Sequence, residues 1–162
     1  RLYRGQGVDP KRRYWFPVVG YNYRMTNIQA AIGLAQMETI DAALADRQGL
    51  AKLYNEALAP LRDALVLPVE RSGNHHVYWM YTVFLREGGE ERRNAVMKAL
   101  DDEGIETRPV FYPMHELPPY RESNVYPVAD EWAQRGINLP THQFLTAADI
   151  DRIAASLKRA LA

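Results

Sequence analysis

At 162 residues the chain is the size of one domain or of one large piece of a longer protein, and it can bury most of its apolar surface. Hydrophobic residues make up 47% and charged residues 25%, which excludes a disordered chain. Twenty basic side chains balance 20 acidic ones, arguing against nucleic-acid binding by bulk charge, and the lack of cysteine excludes disulfides, thiolate zinc sites and a cysteine nucleophile. No apolar run approaches the roughly 18–20 residues of a membrane helix, so neither a span nor a secretory leader is expected. Arg1 stands where an initiator Met would, which raises the expectation of either a processed form or the tail of a longer protein.

In chain order, residues 1–24 are rich in Gly, Arg and aromatics and read as loop with short extended pieces. Thr26-Asn27-Ile28-Gln29 fits a capping box and opens a helix through Ile28, Ala31, Ile32 and Ala35. A break is expected near Asp41, then a second helix with Leu44, Leu50, Leu53, Tyr54 and Leu58, stopped by Pro60. Val66–Val69 is a short extended piece, and Val77–Leu85, dense in β-branched and aromatic residues, is a predicted strand. A helix with Val96, Ala99 and Leu100 on one face follows Gly88-Gly89 and ends at Gly104. Ile105–Phe111 alternates as a strand, and a Pro-rich loop leads to a short helix that starts at Pro127 and ends at Gly136. Ile137-Asn138-Leu139-Pro140 reads as a brief edge strand at best. The last helix opens at Thr146, with Asp149 at its third position and a stripe of Ile150, Ile153, Ala154, Leu157 and Leu161. The pattern is a helical first half followed by a small α+β domain.

Candidate chemistry is sparse. His75-His76 lie in a turn and would face opposite ways, which disfavours joint metal binding, so no metal site is expected. His115 lies in the loop Tyr112-Pro113-Met114-His115-Glu116 just after a strand, a common place for functional groups, and His142 has a similar but weaker setting. Arg1, Arg4, Lys11, Arg12 and Arg13 beside Tyr14, Trp15 and Phe16 form a basic aromatic arm, read as a solvated or interface segment before an anion site. Arg108, within the alternating strand, either reaches the sheet edge or meets an anion. Asn22 and Arg24 precede a capped helix N-terminus, where amide, guanidinium and helix dipole all favour a phosphate. The bland alternative is that Asn22 caps a turn and Arg24 is a surface charge.

The run Trp15-Phe16-Pro17-Val18-Val19-Gly20-Tyr21-Asn22-Tyr23-Arg24-Met25-Thr26-Asn27-Ile28-Gln29-Ala30-Ala31-Ile32-Gly33-Leu34-Ala35-Gln36 closely resembles the DegT/StrS family of pyridoxal phosphate (PLP)-dependent nucleotide-sugar aminotransferases, most of all its GDP-perosamine synthase branch. Tyr78-Trp79-Met80-Tyr81, Arg108–His115 and Gly136–Thr141 support the match in the family's order. The resemblance implies an α/β fold of PLP-dependent transferase fold type I. Residues 1–45 would then end the large PLP domain, and residues 46–162 would form the small C-terminal α+β domain.

It further implies amino transfer from glutamate to a 4-keto nucleotide sugar in a cytoplasmic homodimer with shared active sites, and no role for nucleic acid or membrane. Asn22 would reach the cofactor phosphate of the neighbouring subunit, with Arg24 in support. Arg108, Tyr112 and His115 would contact the sugar nucleotide. No catalytic residue is expected in this chain, because the family's Schiff-base lysine lies in an upstream motif that Lys11, Lys52, Lys98 and Lys158 do not match. The chain alone would then be inactive. The alternatives are a non-catalytic binding or dimerisation module and a His-based metal hydrolase.

Overall fold

A computed structural model describes residues 2–12 and 14–162; Arg1 and Arg13 of the basic arm lie outside the described residues. The chain divides into two compact units, Arg1–Asp41 and Ala42–Ala162.

The first unit begins with an arm folded back on itself. Gln6 N–H donates to Tyr21 O at 3.0 Å, Tyr21 N–H to Tyr3 O at 2.8 Å, and Tyr23 N–H to Arg4 O at 3.0 Å. Gly7 and Gly20 allow the two passes to touch: Gly7 has a positive φ of 78°, and a Cβ on Gly20 would sit 2.2 Å from Gly7 N. Arg12 stacks its guanidinium 4.1 Å from the Trp15 ring centre, so part of the basic arm is satisfied internally. Helix α1 (Asn27–Met37) starts with the expected capping box, Thr26 and Gln29 each bonding the other's backbone N–H. It buries no residue, and Ile28, Ile32, Leu34 and Met37 are all exposed.

The break before α2 (Ile40–Ala57) falls at Glu38–Thr39, earlier than the expected Asp41. Both the N–H and the hydroxyl of Thr39 turn back to Gln36 O, a local bond that competes with helix continuation.

The second unit is built on a four-stranded sheet in the order β1-β2-β4-β3, antiparallel throughout. The strands are β1 (Leu65–Val66), β2 (Tyr81–Leu85), β3 (Arg108–Pro109) and β4 (Gly136–Leu139). Along β2 the side chains alternate, with Tyr81, Val83 and Leu85 buried. They join Leu50, Ala51, Tyr54 and Leu58 of α2, Val96 and Leu100 of α3 (Glu90–Asp102), and Ile150, Ile153 and Leu157 of α5 (Ala147–Leu161) in one core. On the opposite face of the sheet Phe84 meets Trp132 of α4 (Pro127–Arg135) edge-on, with ring centres 4.6 Å apart. The capping box at Thr146 and Asp149, the positive φ of Gly104 after α3, and Pro127 in the first turn of α4 all stand as the sequence predicts. No described helix is long and apolar enough to cross a membrane.

Three strand expectations need correction. The strand predicted from Val77 begins only at Tyr81, because Tyr78 turns the backbone to φ 44°, held by its N–H donating to His76 Nδ1 at 2.8 Å. The strand predicted over Ile105–Phe111 pairs only at Arg108–Pro109, since Ile105 N–H closes α3 by donating to Leu100 O. Ile137–Leu139 is no edge strand: β4 lies between β2 and β3 and is buried along its whole length. Glycine at 136 is what permits this, because a Cβ there would come within 2.4 Å of Val110 Cγ1 and 2.8 Å of Phe84 Cε1. Asn138 fits the interior by bonding both neighbours. It accepts from Thr82 Oγ1 at 2.6 Å and donates to Pro109 O at 3.1 Å.

Ile137 is 0% exposed, so Ile137→Ala should cost about 2–5 kcal/mol in urea unfolding; an edge position would lose far less. Burial raises the phenols of Tyr54 and Tyr81 well above their ordinary value of 10.0. Their unfolded counterparts lose the proton first, so stability is whole below pH 10 and falls as pH rises beyond it. Tyr54→Phe should flatten that alkaline fall. It should also cost about 1 kcal/mol at neutral pH, through loss of the 2.8 Å bond to Pro140 O. Urea titrations from pH 7 to 11 measure both.

Candidate functional site

The sequence-predicted residues fall in three places. Asn22 and Arg24 are both exposed in the first unit, on the return pass of the arm just before the Thr26 cap. Asn22 pairs with Gly5 across the arm, which fixes its backbone. Its Oδ1 accepts the Arg24 N–H at 3.3 Å, an Asx turn. The Oδ1 bond is the turn cap of the bland reading.

Arg108 lies on edge strand β3 with its side chain 78% exposed, 3.1 Å from Glu106. It lines a cavity of about 540 Å³ together with Arg47, Trp79, Asn138, His142 and Arg152. Trp79 is 63% exposed there, one residue past the left-handed turn at Tyr78. Its carbonyl is held from two sides, by Arg47 Nη1 at 3.2 Å and Thr141 Oγ1 at 3.3 Å.

Tyr112 and His115 line a separate cleft, also about 540 Å³, between the Pro-rich loop and α4. The loop is wound into two 3₁₀ turns, Met114–Glu116 and Pro118–Tyr120, and Glu122 N–H bonds back to His115 O at 3.4 Å. Tyr112 is exposed, whereas the His115 side chain is only 14% exposed. Its Nε2 lies 2.8 Å from Asp130 Oδ1, and its ring is 4.7 Å from that of Tyr126. Arg108 is thus not brought together with Tyr112 and His115.

Asp130 is the residue that sequence reasoning missed. It sits on α4, 15 positions after His115, and no local spacing links the two; only the chain reversal through Glu122–Tyr126 joins them. The other histidines are accounted for locally. His76 and His142 use Nδ1 to accept the N–H of Tyr78 and Phe144, and His75 lies exposed just past the turn that Asn74 N–H closes onto Arg71 O. Among the lysines, Lys98 is paired in the open with Asp102 at 2.8 Å, and Lys11, Lys52 and Lys158 are exposed.

A small antiparallel sheet with helices on both faces, preceded by a glycine-pinned arm and a long helix pair, is an arrangement shared with sugar aminotransferases. A DegT DnrJ EryC1 StrS aminotransferase from Brucella abortus matches it with a TM-score of 0.84 and 25% identity, over 99% of this chain and 42% of that one. The chain belongs to the DegT/DnrJ/EryC1/StrS aminotransferase family, whose model matches residues 1–158. It is 53% identical over 163 residues to the GDP-perosamine synthase of Caulobacter vibrioides, covering 99% of this chain and 44% of that protein. It is 40% identical to the GDP-perosamine synthase of Escherichia coli O157:H7, covering 96% of this chain and 42% of that protein. The chain thus spans less than half the length of the relatives it matches.

Proposed function

We propose that the chain is the C-terminal portion of a cytoplasmic, PLP-dependent aminotransferase that moves an amino group from glutamate to a 4-keto nucleotide sugar of the perosamine type. The observation that carries this reading is the 53% identity to a GDP-perosamine synthase across 99% of the chain. Under it, residues 1–45 complete the large domain and residues 46–162 form the small one.

The family is PLP-dependent, and PLP supplies an electron sink for the transfer. The residues present suit its phosphate rather than its ring. The Asn22 amide, the Arg24 guanidinium and the N-terminal end of α1 are all donors or partial positive charges. In a homodimer, this donor set would serve the phosphate bound by the neighbouring subunit.

Tyr112 offers an exposed ring and hydroxyl at the mouth of its cleft, with His115 beneath it, as contacts to the sugar nucleotide. Arg108, exposed on its strand, would meet a phosphate of the nucleotide from the other cavity. All four lysines are exposed, which supports placing the Schiff-base lysine elsewhere in the full protein.

In the full-length enzyme Asn22→Asp sets a carboxylate against the phosphate. It should loosen PLP retention about 10- to 100-fold, the equivalent of a charge-assisted bond worth about 1.5–3 kcal/mol. Retention is measured by ultrafiltration of the holoenzyme, and unchanged retention contradicts the assignment.

A further inference from the structure

We propose that Trp79 is the surface on which the base of a nucleotide stacks, in the cavity where Arg108 meets the phosphate. The proposal rests on the phosphate contact assigned to Arg108 above and extends that site to the base.

The backbone holds the Trp79 ring in the open. Tyr78, a bulky residue, takes a left-handed φ of 44°, a conformation that persists only where the surroundings enforce it. Tyr78 is 5% exposed and stacks on Tyr81 with ring centres 6.3 Å apart, so the turn cannot relax without unpacking the core. Three hydrogen bonds fix the two carbonyls that follow. Arg47 Nη1 donates to Tyr78 O at 3.4 Å and to Trp79 O at 3.2 Å, and Thr141 Oγ1 donates to Trp79 O at 3.3 Å. The turn therefore buries one aromatic ring and leaves the next 63% exposed on the cavity wall. A ring on so constrained a backbone loses little freedom when a flat ligand covers it.

The charge of the cavity suits an aromatic anion. Arg47, Arg108, Arg152 and His142 line it against two carboxylates, Glu106 and Asp149. Asp149 is committed to the α5 cap, accepting from Thr146 N–H at 2.8 Å and Thr146 Oγ1 at 2.6 Å. Glu106 pairs with Arg108 at 3.1 Å, but the two side chains are 77% and 78% exposed, so this weak pair yields readily to a phosphate. Arg47 donates to backbone carbonyls, as Arg152 does to Glu103 O, and neither forms an ion pair among the described residues. Their positive charge is therefore left for a ligand. An apolar ligand would leave these guanidiniums unmet, and a bare phosphate would leave the indole uncovered. A nucleotide carries both a π-face and phosphates, and the cavity of about 540 Å³ is of small-molecule size.

Every residue that lines the cavity belongs to the Ala42–Ala162 unit, so the site is measurable in the 162-residue chain. The test is isothermal titration calorimetry with GDP and with inorganic pyrophosphate, on the wild type, Trp79→Ala, Trp79→Phe and Arg108→Gln. GDP should bind the wild type more tightly than pyrophosphate does. Trp79→Ala should weaken GDP about 5- to 150-fold, the range for loss of one base–aromatic stack, and leave pyrophosphate unchanged. Trp79→Phe keeps a ring and should retain more of the GDP affinity, whereas Arg108→Gln should weaken both ligands. Trp79 is exposed, so its replacement spares the core, and unchanged urea midpoints verify this. If Trp79→Ala binds GDP as the wild type does, or loses pyrophosphate as much as GDP, the stacking role is overturned while the Arg108 contact stands. If the wild type binds neither ligand, the Arg108 contact falls and the stacking role falls with it.

Discussion

The structure of the second unit depends on one constraint: β4 must be buried on both edges while carrying a polar residue at its centre. Gly136, Ile137, Asn138 and Leu139 are all buried, and β2 and β3 pair on either side. The strand survives there because Gly136 leaves room for Val110 and Phe84, and because the Asn138 amide bonds Thr82 and Pro109 at once. Both concavities that hold the candidate residues hang from this strand. The residue before it ends α4, which carries Asp130, and the residues after it, Pro140 and Thr141, line the Arg108 cavity. Through Pro109 the same strand anchors the start of the loop that bears Tyr112 and His115.

Helix ends were legible in the sequence because their causes are local. Thr26 with Gln29, Thr146 with Asp149, Gly104 and Pro127 each act within four residues of themselves, and each stands where its side chain dictates. The strands were less legible because their partners are distant. Ile137-Asn138-Leu139-Pro140, short and bounded by Gly and Pro, looks like an edge until its neighbours, contributed from more than 25 positions away, are known. The turn at Tyr78 was hidden for another reason. A tyrosine at positive φ contradicts its own preference, and its support comes from His76.

The candidate site shows the same division. Family membership was readable because residues 15–36 form one contiguous run, pinned by Gly7 and Gly20 and ended by a capped helix. The Asn22 turn could be anticipated from residue type, but not that Arg24 N–H would be its donor. Asp130 and the separation of Arg108 from Tyr112 are tertiary facts with no local sequence signal. They leave the second unit with two separate concavities, an arginine-lined cavity at the sheet edge and an acidic cleft under the Pro-rich loop.

The central claim is that this chain contributes contacts to an aminotransferase site without contributing the lysine that holds the cofactor. It is tested most directly by incubating the 162-residue chain with PLP, reducing with borohydride and mapping the modified lysines by peptide mass. The account predicts no site-specific, stoichiometric adduct on Lys11, Lys52, Lys98 or Lys158. A single lysine labelled to one equivalent would contradict it.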